Sequence, residues 1–287
     1  MTNTDPTVPS FASTRAIVLF SALWCLLLGV MLFGGPALGD HEVIVAQSAR
    51  QILQSGEWIV LRYLDTPFLV KPPLAPWLVA IASSIFPGGG ALHLPVTNFT
   101  ARLPSTLATA LTVWVIAALG RSMFGRRTGA ICAFVYATSI GAILYALNST
   151  SEALLTLFCT WSFAEFWWAN SAKDSSERRW HLMLFYLALG LAMLAKGPMP
   201  AIVVMAPLAC WWFLHRPGQL LAMGGVRAMK RSIQRFLRDL WPQTTLALRR
   251  LGLWWGLPLF LLPFTPWMIA VARRVPYFLD LLRYEYL

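Results

Sequence analysis

Residues 103–119 have the sequence LPSTLATALTVWVIAAL, which contains no charged side chain. A run of about 17–25 mostly apolar residues can cross the hydrocarbon core of a bilayer as one helix. Similar runs recur along the chain, two of them short enough to need flanking residues: Ile17–Phe33, Thr128–Leu147, Ala153–Trp168, Leu182–Ala195, Ala201–Phe213 and Leu251–Ile269. The pattern predicts an all-α polytopic membrane protein with about seven transmembrane helices.

The composition supports this class. Hydrophobic residues make up 57% of the 287 and charged residues 12%, against roughly 45–50% and 25% in soluble domains. The net charge of +11 would suit nucleic acid, but the basic residues lie in short runs between apolar stretches, where they act as topology signals. The composition therefore predicts a lipid bilayer, and no nucleic acid, as a partner.

Basic residues also decide how the apolar segment Leu74–Phe86 is placed. At about 13 residues it is too short to span and is typical of an interfacial or re-entrant helix. If it does not cross the membrane, one side of the bilayer holds 15 of the 23 Lys and Arg residues. These residues are Arg15 and those of the loops at 121–127, 173–179 and 216–250. By the positive-inside rule that side is cytoplasmic. We therefore expect a multi-pass inner-membrane protein with a cytoplasmic N-terminus.

Two long loops follow from this topology within a single transmembrane domain, residues 1–287. The first periplasmic loop, residues 39–102, is expected to carry two surface helices, Val43–Gln54 and Leu74–Phe86. The basic cytoplasmic loop, residues 215–250, is expected to carry a third, Met229–Leu240, against anionic lipid headgroups.

Six titratable side chains fall on the periplasmic side in this topology: Asp40, His41, Glu42, Lys71, Glu152 and Lys196. Charges at membrane depth cost about 2.5–3.5 kcal/mol each on insertion scales, so such residues tend to be paired, hydrated or functional. Acids beside lysines suit a displacement on a lipid phosphate. An ammonium group can neutralise the leaving phosphate while a carboxylate takes the proton of an incoming hydroxyl.

Structural roles for these side chains remain open. Glu42 could cap the first surface helix with Asp40 as its N-cap residue, and Lys71 and Lys196 could extend their ammonium groups to the interface. Glu165, inside an apolar run, needs a partner, and we expect a hydrogen bond to a neighbouring helix.

Short motifs occur along the chain in a fixed order. They are Gly39-Asp40-His41-Glu42, Ser55-Gly56-Glu57-Trp58, Lys71-Pro72-Pro73, Ala101-Arg102-Leu103-Pro104-Ser105, Ser151-Glu152-Ala153 and Lys196-Gly197-Pro198. Together they resemble the superfamily of lipid A aminoarabinose transferases and protein O-mannosyltransferases. The resemblance runs from about residue 16 to the end and covers the N-terminal part of that family, so we expect the family's C-terminal part to be absent.

The resemblance implies an inverting glycosyltransferase of the GT-C class. Its donor would be a polyprenyl-phosphate-linked sugar, and its acceptor an envelope lipid, glycan or protein. In that family an acid just after the first span lies at the reaction centre, and the lysine of the Lys-Pro-Pro element contacts the donor phosphate. The resemblance thus implies Asp40, His41, Glu42 and Glu152 as catalytic candidates, and Lys71 and Lys196 as donor-phosphate ligands.

The chain departs from the family pattern at several positions. The family's Asp-Glu pair aligns best with His41-Glu42, and Asp40 could substitute by a shift of one residue, so the base stays open among the three. Relatives carry Asp where Glu152 stands. Relatives often carry Glu before the Lys-Pro-Pro lysine, where Val70 stands here, which argues against a metal site. No cofactor is implied with certainty, and a divalent metal stays open.

Two other functions are compatible with parts of the sequence. A transporter or flippase of lipid-linked sugars needs polar groups along the membrane midplane, and the chain offers mainly Glu165 there. A non-catalytic truncated membrane protein fits the short chain. The predicted function is polyprenyl-phosphate-dependent sugar transfer.

Overall fold

The computed structural model describes residues 36–64, 66–88, 95–214 and 251–278, together with single positions between 19 and 32 and at 280, 281 and 283. Most of the predicted span Ile17–Phe33 and all of the basic loop 215–250, with its surface helix Met229–Leu240, lie outside the described residues.

Helices form most of the described chain. They are α1 (Asp40–Ser55), α2 (Leu74–Ile85), α3 (Asn98–Phe124), α4 (Arg126–Ala137), α5 (Ile140–Ala146), α6 (Glu152–Ser171), α7 (Ser175–Lys196), α8 (Met199–Leu214), α9 (Leu253–Leu261) and α10 (Thr265–Arg274). Between α1 and α2, the short strands β1 (Arg62–Tyr63) and β2 (Thr66–Pro67) pair antiparallel.

The first surface helix begins three residues earlier than the sequence predicts. Gly39 is its N-cap residue, and the Glu42 carboxylate accepts a hydrogen bond from the Gly39 N–H at 2.9 Å. That contact satisfies a donor at the helix start, so Asp40, His41 and Glu42 form the first turn instead of a loop. The expectation that Asp40 is the N-cap residue is wrong. The helix ends at Gly56, whose φ of +71° suits glycine.

Predicted apolar runs appear as helices with wider bounds. Helices α3, α6, α7 and α8 contain the runs at 103–119, 153–168, 182–195 and 201–213. Among the described helices, α3 alone is long and apolar enough to cross a membrane by itself. The bent pairs α4–α5 and α9–α10 qualify when each is taken as one span. The number of spans stays a prediction.

The run Thr128–Leu147 is not the continuous helix that the sequence predicts. It is divided into α4 and α5, which meet at 63°. The Thr138 and Ser139 hydroxyls donate to backbone carbonyls of the preceding turn, and Ser139 Oγ accepts from the Ala142 N–H to cap α5. Such local side-chain bonds compete with helical ones and break the run.

The last predicted span, Leu251–Ile269, is bent near a proline. Helices α9 and α10 meet at 49°, and the break lies at residues 262–264, beside Pro263. Proline removes a backbone donor and clashes with the preceding turn.

Helices α3 and α6 run parallel and form the frame of the site. Ser105 Oγ donates to the Thr150 carbonyl just before α6, and Trp168 Nε1 donates to Ser122 Oγ near the far end of α3. Helix α7 returns antiparallel against α6. One end of the bundle therefore collects the start of α3, the start of α6, the end of α7 and the two helices of the first loop.

Candidate functional site

Glu42 lies at the centre of a buried charge cluster at this end. Its carboxylate accepts hydrogen bonds from the Arg102 guanidinium at 2.8 and 2.9 Å. It also accepts from the backbone N–H groups of Gly39, at 2.9 Å, and Ser149, at 2.8 Å. Glu42 is 4% exposed and Arg102 3%. The cluster joins α1 to α3 and to the loop before α6.

These contacts set the protonation state of Glu42. Burial by itself raises the pKa of this carboxyl, but the hydrogen bonds from Arg102, Gly39 and Ser149 outweigh it and hold the pKa below its ordinary value. A carboxylate with a lowered pKa and four N–H donors accepts a further proton poorly. The geometry therefore favours the structural role of Glu42 over a role as base.

The lowered pKa of Glu42 predicts a pH-dependent contribution to stability. Because the folded-state pKa lies below the unfolded one, the contribution is complete above about 4.5, the ordinary value, and is lost as pH falls through the folded value. We expect the Tm of the wild type to exceed that of Glu42→Gln at pH 7, and the difference to shrink in acid. Thermal unfolding of both proteins across pH checks this. A difference that stays constant down to pH 3 would contradict it.

Asp40 and His41 lie beside this cluster but point outward. Both residues are exposed on the first turn of α1, and neither side chain has a partner among the described residues. Asp40 thus keeps the free carboxylate that Glu42 lacks.

Two further predicted residues meet directly. Lys196 Nζ, at the end of α7, donates to Glu152 Oε1, at the start of α6, at 2.7 Å. Both side chains are about one-third exposed. A lysine ammonium carries three donors, so Lys196 retains hydrogen-bonding capacity for an anion. Ser149, which binds Glu42, lies three residues before Glu152, so the two ion pairs are neighbours.

Lys71 lies at the same end of the bundle. Leu69 and Leu74, on either side of Lys71, belong to one buried apolar cluster with Leu154 and Ala195. Leu154 lies two residues after Glu152, and Ala195 lies directly before Lys196. Lys71 itself is half-buried, and its ammonium group has no hydrogen-bond or ion-pair partner within the described part of the chain.

An apolar groove of about 560 Å³ is lined in part by Leu154, two residues after Glu152 on α6. It lies between α2, α3 and α6, and the described residues that line it have apolar side chains, from Leu103 to Val115 on α3 and from Leu154 to Trp161 on α6. Along α3 this is about 18 Å at 1.5 Å per residue. Leu107 and Leu111 on its wall are more than half exposed, so the groove is open along its side.

Glu165 is paired with a neighbouring helix, as predicted. Its Oε2 lies 2.7 Å from Nδ1 of His181 on α7, and its Oε1 accepts from Trp161 Nε1 at 2.8 Å. The residue is 3% exposed.

The sequence did not identify Arg102 and Ser149 as members of the charge cluster around Glu42. Arg102 was named only as a member of the motif Ala101-Arg102-Leu103-Pro104-Ser105. A lone arginine at the start of an apolar helix requires an acidic partner, and that signal was available. The Ser149 contact is made by backbone N–H, which carries no sequence signal.

Comparison with known proteins identifies the family. The profile of the dolichyl-phosphate-mannose-protein mannosyltransferase family matches residues 70–223, which is more than half of the chain. The chain belongs to this family. The resemblance predicted from the motifs is thereby confirmed, and as a family member with long apolar helices the chain is a membrane protein.

Two curated relatives of the chain carry the same enzyme name. Undecaprenyl phosphate-alpha-4-amino-4-deoxy-L-arabinose arabinosyl transferase from Edwardsiella ictaluri is 25% identical over 67% of this chain and 34% of its own length. The enzyme of that name from Pectobacterium carotovorum is 30% identical over 64% of this chain and 31% of its own length. The chain thus spans about a third of the length of these relatives.

Solved structures confirm the all-α GT-C fold. ArnT from Cupriavidus metallidurans, in the apo state and bound to undecaprenyl phosphate, superposes with a TM-score of 0.71 at 24% identity. The match covers 93% of this chain and 43% of ArnT.

The described residues offer no cluster of candidate metal ligands. Within them, no group of three or more His, Cys, Asp and Glu side chains could hold an ion, and the position before Lys71 is Val70.

Proposed function

We propose that this chain is the N-terminal, donor-binding part of a membrane glycosyltransferase. It transfers a sugar from a polyprenyl phosphate to an envelope acceptor at the periplasmic face of the inner membrane. The names of the relatives favour 4-amino-4-deoxy-L-arabinose as the sugar and undecaprenyl phosphate as its carrier. The observation that carries the proposal is the contact of Lys196 with Glu152 at 2.7 Å, two residues before Leu154, which lines an apolar groove, at the end of the bundle where Lys71 also lies.

This arrangement suits an amphiphilic donor. An isoprenoid chain in the groove buries apolar surface, and the phosphate at its head meets ammonium groups at the mouth. The groove is about 18 Å long, which is close to one leaflet of a hydrocarbon core about 30 Å thick. A lipid held there keeps its head at the membrane surface, where a polar acceptor can approach.

The reaction is a single displacement with inversion. The acceptor hydroxyl oxygen attacks the anomeric carbon, and the bond from that carbon to the phosphate oxygen breaks. The electron pair leaves with polyprenyl phosphate, whose added charge Lys71 and Lys196 neutralise. Asp40 takes the hydroxyl proton, since Glu42 is occupied by its four donors. Glu152 holds the Lys196 ammonium at the phosphate.

Transport is less well supported than transfer. The polar group at depth, Glu165, is engaged by Trp161 and His181, so no chain of free polar groups leads through the described helices.

Sugar transfer in proteoliposomes tests the proposal. The complete protein, purified from membranes, is supplied with radiolabelled aminoarabinosyl undecaprenyl phosphate and a lipid acceptor. Labelled acceptor is expected with the wild type. Movement of intact donor between leaflets without labelled acceptor would favour the transporter and overturn the proposal.

The assignment of Asp40 as base gives a separate prediction. Asp40→Asn is expected to lower kcat by about a hundredfold, the lower end of general-base contributions, with little change in donor binding. His41→Gln is the matched control on the same exposed turn. A larger loss in His41→Gln than in Asp40→Asn would transfer the role to His41.

A further inference from the structure

The groove ends at one side chain that the reaction does not use. Trp161 is the deepest lining residue on α6, and Val115 is the deepest on α3. The two lie at one level. Val115 and Trp161 are 46 residues apart in the sequence. Ser122 and Trp168 are also 46 residues apart, and their side chains are hydrogen-bonded further along the same two helices. Because the helices run parallel, equal separations in sequence correspond to equal heights along the bundle. Below this level no residue of α3 or α6 lines the groove.

Trp161 is fixed by polar contacts in an apolar part of the bundle. Its indole N–H donates to Glu165 Oε1 at 2.8 Å, one turn further along α6. The other carboxylate oxygen is bonded to His181 Nδ1 at 2.7 Å, and the His181 ring packs against Trp168 with ring centroids 5.9 Å apart. Losing either bond would leave a buried polar atom without a partner. The three side chains therefore hold the indole in one orientation.

We propose that Trp161, held by Glu165 and His181, is the end wall of the isoprenoid groove and sets how much of the carrier chain the protein binds. This inference rests on the proposed function and assigns a role to Glu165. The first isoprene units lie between the mouth and Trp161. The rest of a longer chain turns out into the bilayer past Leu107 and Leu111, the exposed side chains on the groove wall.

The wall makes affinity depend on chain length in a specific way. Each isoprene unit inside the groove gains dispersion contacts by packing against fixed apolar side chains and tightens binding, whereas a unit beyond the groove stays in the fluid apolar surroundings from which it came. Affinity should therefore rise with chain length until the groove is filled and then level off. Removal of the wall should move that plateau to longer chains.

Binding of polyprenyl phosphates of increasing length to the complete protein in detergent, measured by competition in native mass spectrometry, tests this. Trp161→Ala is expected to move the plateau by at least an isoprene unit. Glu165→Leu, which removes both hydrogen bonds, is expected to move it in the same direction. Glu165→Gln keeps one acceptor and one donor and should retain the wild-type plateau.

The outcomes separate this inference from the function on which it rests. If no polyprenyl phosphate binds the wild type, the proposed function fails. If polyprenyl phosphates bind but Trp161→Ala has the wild-type plateau, the end wall alone is overturned. A wild-type plateau in folded Glu165→Leu would remove Glu165 from the wall. A variant that only loosened the fold would weaken binding equally at all lengths.

Discussion

Arg102→Met is expected to lose most of its folded protein, because it leaves a buried carboxylate without its counter-ion. Glu42 is 4% exposed and would keep only the two backbone donors of Gly39 and Ser149. Removal of one partner from a buried ion pair typically costs about 3–5 kcal/mol, a large part of the about 5–15 kcal/mol that stabilises a domain. The yield of folded protein after extraction and the Tm in detergent measure the loss.

Two companion variants isolate the cause. Arg121→Met removes an exposed arginine from the same helix and should keep a near wild-type Tm. The double variant Glu42→Leu with Arg102→Met removes both charges and should recover much of the lost stability, since an apolar pair can replace a buried ion pair. If Arg102→Met alone were as stable as Arg121→Met, the ion pair of Glu42 and Arg102 would not hold the first loop against α3.

Lys71→Ala is expected to lower sugar transfer by about a thousandfold, the upper end of what removal of one charge-stabilising donor costs. Lys71 is half-buried, and the described residues offer its ammonium group no acid. Its charge is therefore available to the donor phosphate, whose negative charge grows as the sugar leaves. We expect most of the loss in kcat, and a smaller loss in donor affinity.

Two control variants separate the effect of the positive charge at residue 71 from the effect of removing a lysine elsewhere in the protein. Lys71→Arg keeps the charge with a different geometry and should retain part of the activity. Lys173→Ala removes an exposed lysine at the opposite end of α6 and α7 and should transfer sugar at the wild-type rate. Wild-type kcat in folded Lys71→Ala would remove the residue from the phosphate site, whereas a lowered Tm would indicate a structural role.

The sequence located the helices well where apolar runs were long and uninterrupted. Helices α3, α6 and α7 contain their predicted runs because burial from water is the main determinant of such segments. The division of Thr128–Leu147 was missed, since the hydroxyls of Thr138 and Ser139 act through local backbone bonds that hydropathy does not register.

The candidate site was only partly predictable. Charge placement grouped Glu152 with Lys196 on one side of the membrane, and the structure shows them in contact at 2.7 Å. For Glu42 the sequence left a catalytic and a capping role open. That choice depended on Arg102, sixty residues away, and on a backbone N–H that any residue could supply.

The sequence by itself determined the membrane class and the family, and it supplied the candidate side chains for chemistry on a lipid phosphate, because apolar length, charge and motif order are properties of the chain. Only the tertiary structure decided which of those side chains are engaged and which remain free. Ion pairs and hydrogen bonds form between residues that packing brings together, so Glu42 is held by Arg102 while Asp40 and Lys71 are left available. The end wall at Trp161 is likewise a product of packing, since it depends on the level at which two parallel helices meet.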